Sequence, residues 1–155
     1  MDLIIRPAFQ ASSYLNTVAL WHYQQWGIAS ETPLSQYQSY FQQYFAVENT
    51  VPIMWLALAG GKVIGSVALQ RDTLDEETGE ILVLGGLYVT DEMRGQGIGA
   101  ALLQIATDHA ADIGTQTLYL ATMEHVEYYQ RFGWRIEKEV NKDNQPSQLM
   151  CLDFY

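Results

Sequence analysis

Apolar residues recur with two different periods along this chain of 155 residues, and the periods mark out its elements. Leu3 to Arg6 reads as a short strand ended by Pro7. From about Ala11 to Trp26, residues Tyr14, Leu15, Val18, Ala19, Trp21 and Trp26 fall at roughly helical spacing, and Gly27 stops the run. A second helix is predicted from Leu34 to about Ala46, with Pro33 at its first turn and Tyr37, Tyr40, Phe41, Tyr44 and Phe45 along one side. Pro52 to Ala59 and Val63 to Leu69 flank Gly60-Gly61 as a β-hairpin, and the polar, acidic run Arg71 to Glu80 reads as a loop. Ile81 to Val89 is apolar throughout, the pattern of a strand covered on both faces.

From Gly97 to Ile113, the positions Ile98, Leu102, Ile105, Ala106, His109 and Ile113 lie on one helical stripe ending at Gly114. Thr117 to Ala121 is a strand, Glu124 to Phe132 a short helix, and Gly133 its cap. Trp134 to Val140 and Gln148 to Asp153 form a hairpin around Asn141 to Pro146. The order β-α-α-β-β-β-α-β-α-β-β implies a central mixed sheet with helices on both faces, and the length suits a single domain, 1–155.

Composition narrows the partners. With 18 acidic residues against 8 basic ones, the formal net charge is −10, which argues against nucleic acid and anionic membrane. The same acidity is compatible with a cationic substrate such as an amine, and also simply with solubility. Cys151 is the only cysteine, so neither an internal disulfide nor a thiolate metal site is expected. His22, His109 and His125 fall on separate elements without ligand spacing, and no metal is predicted. The first residues lack the long apolar core of a signal peptide, and no apolar run is long enough to span a bilayer, so a cytoplasmic setting is expected.

The candidate chemistry lies where the apolar strand breaks into glycines: Leu87-Tyr88-Val89-Thr90-Asp91-Glu92-Met93-Arg94-Gly95-Gln96-Gly97-Ile98-Gly99-Ala100. Three glycines in five residues keep side chains away from the backbone N–H groups of a tight turn. The helix that follows adds unpaired donors and the positive end of its dipole, a setting for a phosphate or pyrophosphate. Arg94 places a positive charge at the mouth. Gly95-x-Gly97-x-x-Ala100 also matches the dinucleotide-binding fingerprint, but it follows consecutive sheet strands, and the next strand ends in Ala121-Thr122 without an acidic residue. No Gly-Lys-Ser/Thr of a Walker loop is present.

Read as Arg94-x-x-Gly97-x-Gly99, preceded by Leu87-Tyr88-Val89 and followed by Tyr129-Gln130-Arg131-Phe132-Gly133-Trp134, the chain resembles the GNAT superfamily of acetyl-CoA-dependent N-acetyltransferases. The resemblance covers the element order of the whole chain and is specific from about Gly86 to Trp134. It implies a mostly antiparallel sheet of about seven strands flanked by about four helices. It also implies pyrophosphate of coenzyme A on the amides of Arg94, Gly95, Gln96, Gly97, Ile98, Gly99 and Ala100. The pantetheine arm is expected along main-chain groups of Leu87, Tyr88 and Val89, with a bulge at Gly85-Gly86 splaying this strand from Leu118 to Ala121.

By the same resemblance Tyr129 is the catalytic side chain, serving the departing thiolate, while Tyr128 points elsewhere on the helix. Val83 occupies the place where some relatives carry a glutamate base; Glu80 and Asp72 are the nearby carboxylates that could take the amine's proton, directly or through water, and each reads first as a solvated loop carboxylate. Acceptor specificity is expected from the first two helices and the last hairpin, which carry Trp21, His22, Trp26, Tyr37, Tyr40 and Tyr44. Those aromatics fit a core equally well. The acceptor is a small-molecule or protein amine, and paired sheet edges in relatives make a homodimer one expectation. A module of another class, binding acyl-CoA without catalysis, would keep the loop. The presence of Tyr129 beside Arg94, Gly97 and Gly99 favours the enzyme.

Overall fold

The computed structural model describes residues 2–46, 51–142 and 144–154. Its elements are β1 (Leu3–Pro7), α1 (Leu15–His22), α2 (Leu34–Ala46), β2 (Ile53–Ala59), β3 (Lys62–Thr73), β4 (Glu80–Val89), α3 (Ile98–Asp112), β5 (Thr117–Thr122), α4 (Val126–Gln130), β6 (Arg135–Lys142) and β7 (Gln145–Asp153). The seven strands form one sheet in the order β1-β2-β3-β4-β5-β7-β6. Every pair is antiparallel except β4 with β5, which α3 joins by a crossover.

Both faces of the sheet are covered, and β2 shows why its sequence has no polar position. Ile53, Trp55 and Ala57 point into the cluster beneath α3, together with Leu102, Leu103 and Ala106. Met54 and Leu56 alternate to the other face and meet Val18, Phe41, Tyr44 and Phe45 of α1 and α2. Tyr129 of α4 and Trp134 belong to the α3 side. A third, smaller cluster joins Ile81, Val83, Val140 and Leu149 on the face away from α3.

Several boundaries differ from the sequence reading for local reasons. The first helix is shorter than Ala11 to Trp26. A 3-10 turn occupies Ser12–Tyr14, and beyond His22 the helix widens into a π turn, Tyr23–Gly27. The expected loop Arg71 to Glu80 is shorter, 74–79, because its ends are strand: Arg71 pairs with Leu82, Asp72 with Ile81 and Thr73 with Glu80. Polar side chains there hid a ladder that depends only on backbone. The expected turn Asn141 to Pro146 is likewise invaded by strand from both sides, with Asn141 opposite Pro146 and Lys142 opposite Gln145. β6 is an edge strand, where charged residues and a neighbouring proline are tolerated.

Candidate active site

The site begins where β4 loses its neighbour. β4 and β5 are in register only at Val83 and Tyr119. Upstream of this parting Ile81 to Leu84 are buried, but Gly85 to Val89 are only half-buried, although every side chain from 81 to 89 is apolar or glycine. The strand predicted to be covered on both faces is therefore covered for half its length. On its other side, Ser66 faces Tyr88 while Ala68 faces Gly85, which leaves one extra residue on β4. This is the expected bulge, and Gly86 makes it with φ of +60°, a backbone angle side chains resist.

Beyond β4 the chain makes a 3-10 turn at Asp91–Met93 and enters α3 through Gly97, whose φ is +81°. The first intrahelical bond runs from the Ala101 N–H to the Gly97 carbonyl, 3.1 Å. The N–H groups of Gly97, Ile98, Gly99 and Ala100 are thus the four that no helix can satisfy, and no side chain caps them. Arg94 to Gly97 are exposed, whereas the Ile98 side chain is buried in the core and pins the turn. The glycines serve different needs. A β-carbon at Gly97 would meet open space, so its backbone angle is the constraint; one at Gly99 would lie 3.0 Å from the Tyr128 hydroxyl.

Arg94 folds back over the strand end. Its Nε donates to the Val89 carbonyl at 2.9 Å, its guanidinium pairs with Asp91 at 2.9 Å, and it lies 5.6 Å from the Tyr88 ring centre. The charge stands at the mouth of the turn while one strand carbonyl, that of Val89, is occupied. The exposed ion pair with Asp91 adds little to stability.

The two tyrosines of α4 diverge as adjacent helical positions must. Their rings meet edge to face with centres 5.3 Å apart. Tyr129 is buried against Trp134, 6.0 Å between centres, and burial raises its phenol above the ordinary range. Tyr128 is half-buried, with Phe132 and the Arg131 guanidinium against its ring and its hydroxyl beside Gly99. Of the pair, Tyr128 is the one that adjoins the glycine turn. Cys151 is buried in β7, where its thiol donates to Glu137 at 3.6 Å and burial pushes it up to about 11.

On the opposite face of the sheet, α1 and α2 bring up the aromatics. Trp21 and Trp26 lie 5.3 and 6.4 Å from Tyr88, ring centre to ring centre. Tyr44 is buried and donates to Gln70 at 2.6 Å, and Tyr40 meets it at 3.1 Å. Asp72, with Tyr40, Gln43 and Gln70, lines an open depression. Glu80 lies beyond it at the start of β4, far along the strand from the glycine turn. Sequence reasoning placed His22 only among the ring side chains of the first helix and passed over Ser66. His22 is buried and its Nε2 lies 3.0 Å from Ser66 Oγ, which donates to the Gly86 carbonyl at 2.8 Å. No periodicity relates positions 22, 66 and 86. Only the packing of α1 on β3 brings them together.

A family model for the Acetyltransferase (GNAT) family matches residues 15–134. A search of curated proteins finds no match. Among solved structures, an aminoglycoside 6'-N-acetyltransferase complexed with coenzyme A superposes with a TM-score of 0.75 at 14% identity, covering 99% of this chain and 97% of the other. Arabidopsis thaliana NAA60 in complex with a bisubstrate analogue also gives 0.75, at 18% identity over 99% and 100% of the two chains. An N-acetyltransferase from Staphylococcus aureus Mu50 gives 0.73 at 15% identity, with 99% of each chain covered. At these identities the likeness is one of fold.

The burial of His22 has a measurable consequence. Removal from water holds its imidazole down to about 3, against 6.5 in the unfolded chain. Between those values the unfolded chain takes up a proton that the folded protein refuses, so stability falls as pH drops through that window. Denaturant titrations are expected to show this decline, and a smaller one in His22→Phe. Ring resonances of His22 reporting a neutral imidazole at about pH 5 would agree; a protonated ring there would contradict it.

Proposed function

The chain belongs to the acetyltransferase (GNAT) family, and from that membership we propose that it transfers an acetyl group from acetyl-CoA to an amine by direct attack within a ternary complex. One observation carries the reading. Four uncapped N–H groups, at 97 to 100, follow the half of β4 that has parted from β5. Pyrophosphate suits such donors. An extended pantetheine arm suits a strand that has lost its neighbour, because it takes up the free edge as an added strand would. Arg94 to Ala100 then hold the phosphates, and main-chain groups of Leu87, Tyr88 and Val89 meet the arm.

Attack by a neutral amine on the thioester carbon forms the C–N bond, breaks the C–S bond and expels coenzyme A as a thiolate, while the nitrogen sheds its extra proton to solvent. In this reading Tyr129 gives that thiolate its proton. Burial favours the protonated phenol, so the group remains a donor at any working pH. Direct attack is favoured over an acyl-enzyme because the Cys151 thiol is buried, protonated and on β7. The acceptor is a small-molecule, peptide or protein amine, and the acidity of the chain suits a cationic one. We place the protein in the cytoplasm. No helix among the described residues is long and apolar enough to cross a membrane.

Thiol release from acetyl-CoA, followed across a panel of amines, tests the activity. At least one amine is expected to raise release well above hydrolysis. Coenzyme A binding without amine-dependent release from any member would instead support a non-catalytic module. The phosphate site is tested by Gly97→Asp, which forces a side chain into a left-handed backbone and sets a negative charge among the free N–H groups. Calorimetry should show coenzyme A binding lost in a folded variant, and unchanged affinity would remove the site from this loop.

Replacing the Tyr129 hydroxyl probes the acid. Tyr129→Phe keeps the ring against Trp134, so turnover should fall roughly 10²–10⁴-fold with acetyl-CoA affinity and Tm nearly unchanged. Tyr128→Phe should leave turnover near wild type. The opposite pattern would give the role to Tyr128, beside Gly99, and full activity in both would leave protonation to solvent.

A further inference from the structure

Among the described residues, His22, which is 3% exposed, has one polar side-chain partner, Ser66. Its other neighbours are aromatic: Phe41 meets it edge-on at 4.8 Å and Trp26 lies 4.9 Å away, centre to centre. An imidazole kept from water must satisfy its N–H within the protein, and Ser66 is placed to do so. Ser66 is itself wholly buried and has one hydroxyl proton, which the 2.8 Å contact commits to the Gly86 carbonyl. Its oxygen therefore accepts from His22, and His22 carries its proton on Nε2. The chain of donors runs one way, from imidazole to hydroxyl to the carbonyl of the bulge.

That carbonyl belongs to the most constrained residue of β4. Gly86 sits at +60° in φ, and a β-carbon there would come within 2.9 Å of His22 Cε1, so the imidazole packs directly on the bulge. In a planar trans peptide the C=O and the following N–H point in opposite directions. Holding the Gly86 carbonyl toward Ser66 consequently turns the Leu87 N–H away from Ser66 and sets the plane of the whole peptide. Leu87 begins the strand segment along which the acyl-carrying arm is proposed to lie.

We propose that His22 is a positioning residue for acetyl transfer, acting through Ser66 to lock the Gly86–Leu87 peptide against which the thioester is held. The inference rests on the acetyltransferase reading. A hydrogen-bonded pair buried between α1 and β3 costs nothing at the moment of reaction, because the peptide is already oriented when acetyl-CoA arrives. A loose peptide would still let the arm bind, since the phosphates are held elsewhere, but the carbonyl carbon would sample poor angles of attack. The relay thus bears on turnover and not on affinity.

The test compares Ser66→Ala, His22→Phe and their double variant, with Ser66→Thr as the variant that keeps the hydroxyl. Amide shifts and hydrogen exchange at Gly86 and Leu87 in the free protein report on the bulge without any catalysis. Both single variants should shift these two amides and speed their exchange. Each should also lower kcat by roughly 10–10²-fold with KM for acetyl-CoA nearly constant. The double variant should be no worse than the poorer single one, because both remove the same link. Ser66→Thr should recover most of the turnover. Unmoved amides in a folded Ser66→Ala would overturn the proposal, as would moved amides with unchanged kcat, or losses that add in the double variant. A wild-type protein that binds acetyl-CoA but acetylates no amine would remove the acetyl-transfer reading alone, and the amide measurements would still decide whether the relay holds the bulge.

Discussion

Everything in this molecule that bears on chemistry follows from the separation of two neighbouring strands. A sheet buried on both faces normally satisfies its backbone by continuous pairing. Here β4 and β5 pair at Val83 and Tyr119 and then part, leaving half of β4 with an open edge in the middle of the sheet. Such an edge is a liability unless something is meant to occupy it. The open edge leads through a short 3-10 turn to the capless start of α3, so a parted strand and a set of unsatisfied helix N–H groups follow one another along the chain.

Keeping that edge open requires the rest of the sheet to be rigid. The cluster under α3 draws on β2, β3, β4, β5 and β7 together, with Leu102, Leu118 and Met150 at or near zero exposure. Each fully buried side chain of this size contributes roughly 1.5–3 kcal/mol, so closing the gap by shearing the sheet would disturb many such contacts at once. On the other face, Leu74 packs on the small cluster of Ile81, Val83, Val140 and Leu149. Asp75, beside it, receives the Lys138 ammonium at 2.8 Å, which holds its carboxyl down to about 2. The turn between β3 and β4 is thereby tied to the edge strand β6, across β5 and β7.

Within that frame the bulge at Gly86 is the finest adjustment. Its carbonyl is held by a side chain whose own partner comes from a different layer, so the orientation of one peptide depends on how α1 packs on the sheet. The aromatic surroundings of His22 exclude water and keep the imidazole neutral, which preserves the direction of the relay.

The elements themselves were legible because each answers to a local rule. Alternation and continuous apolar runs marked β2, β3 and β4, and the stripe from Ile98 to Ile113 marked α3. Gly95, Gly97 and Gly99 marked a turn into a helix, since only such a turn needs so little side chain near its backbone. Where polar residues lay in backbone ladders, at Arg71 to Thr73 and where Asn141 and Lys142 face Pro146 and Gln145, local rules failed, because such pairings ask nothing of side-chain polarity. The spacing of Arg94, Gly97, Gly99 and Tyr129 carried the family. It could not carry the directions of Tyr128 and Tyr129, which depend on the seat of α4 against Trp134. Nor could it join His22 to Ser66 and Gly86, residues 44 and 20 positions apart along the chain. The sequence by itself determined the element order, the glycine turn and the chemistry that turn suits, all of which depend on neighbours within a few residues. The tertiary structure alone decided where the sheet opens and which buried side chains hold the opening, because those contacts exist only once separate layers have packed.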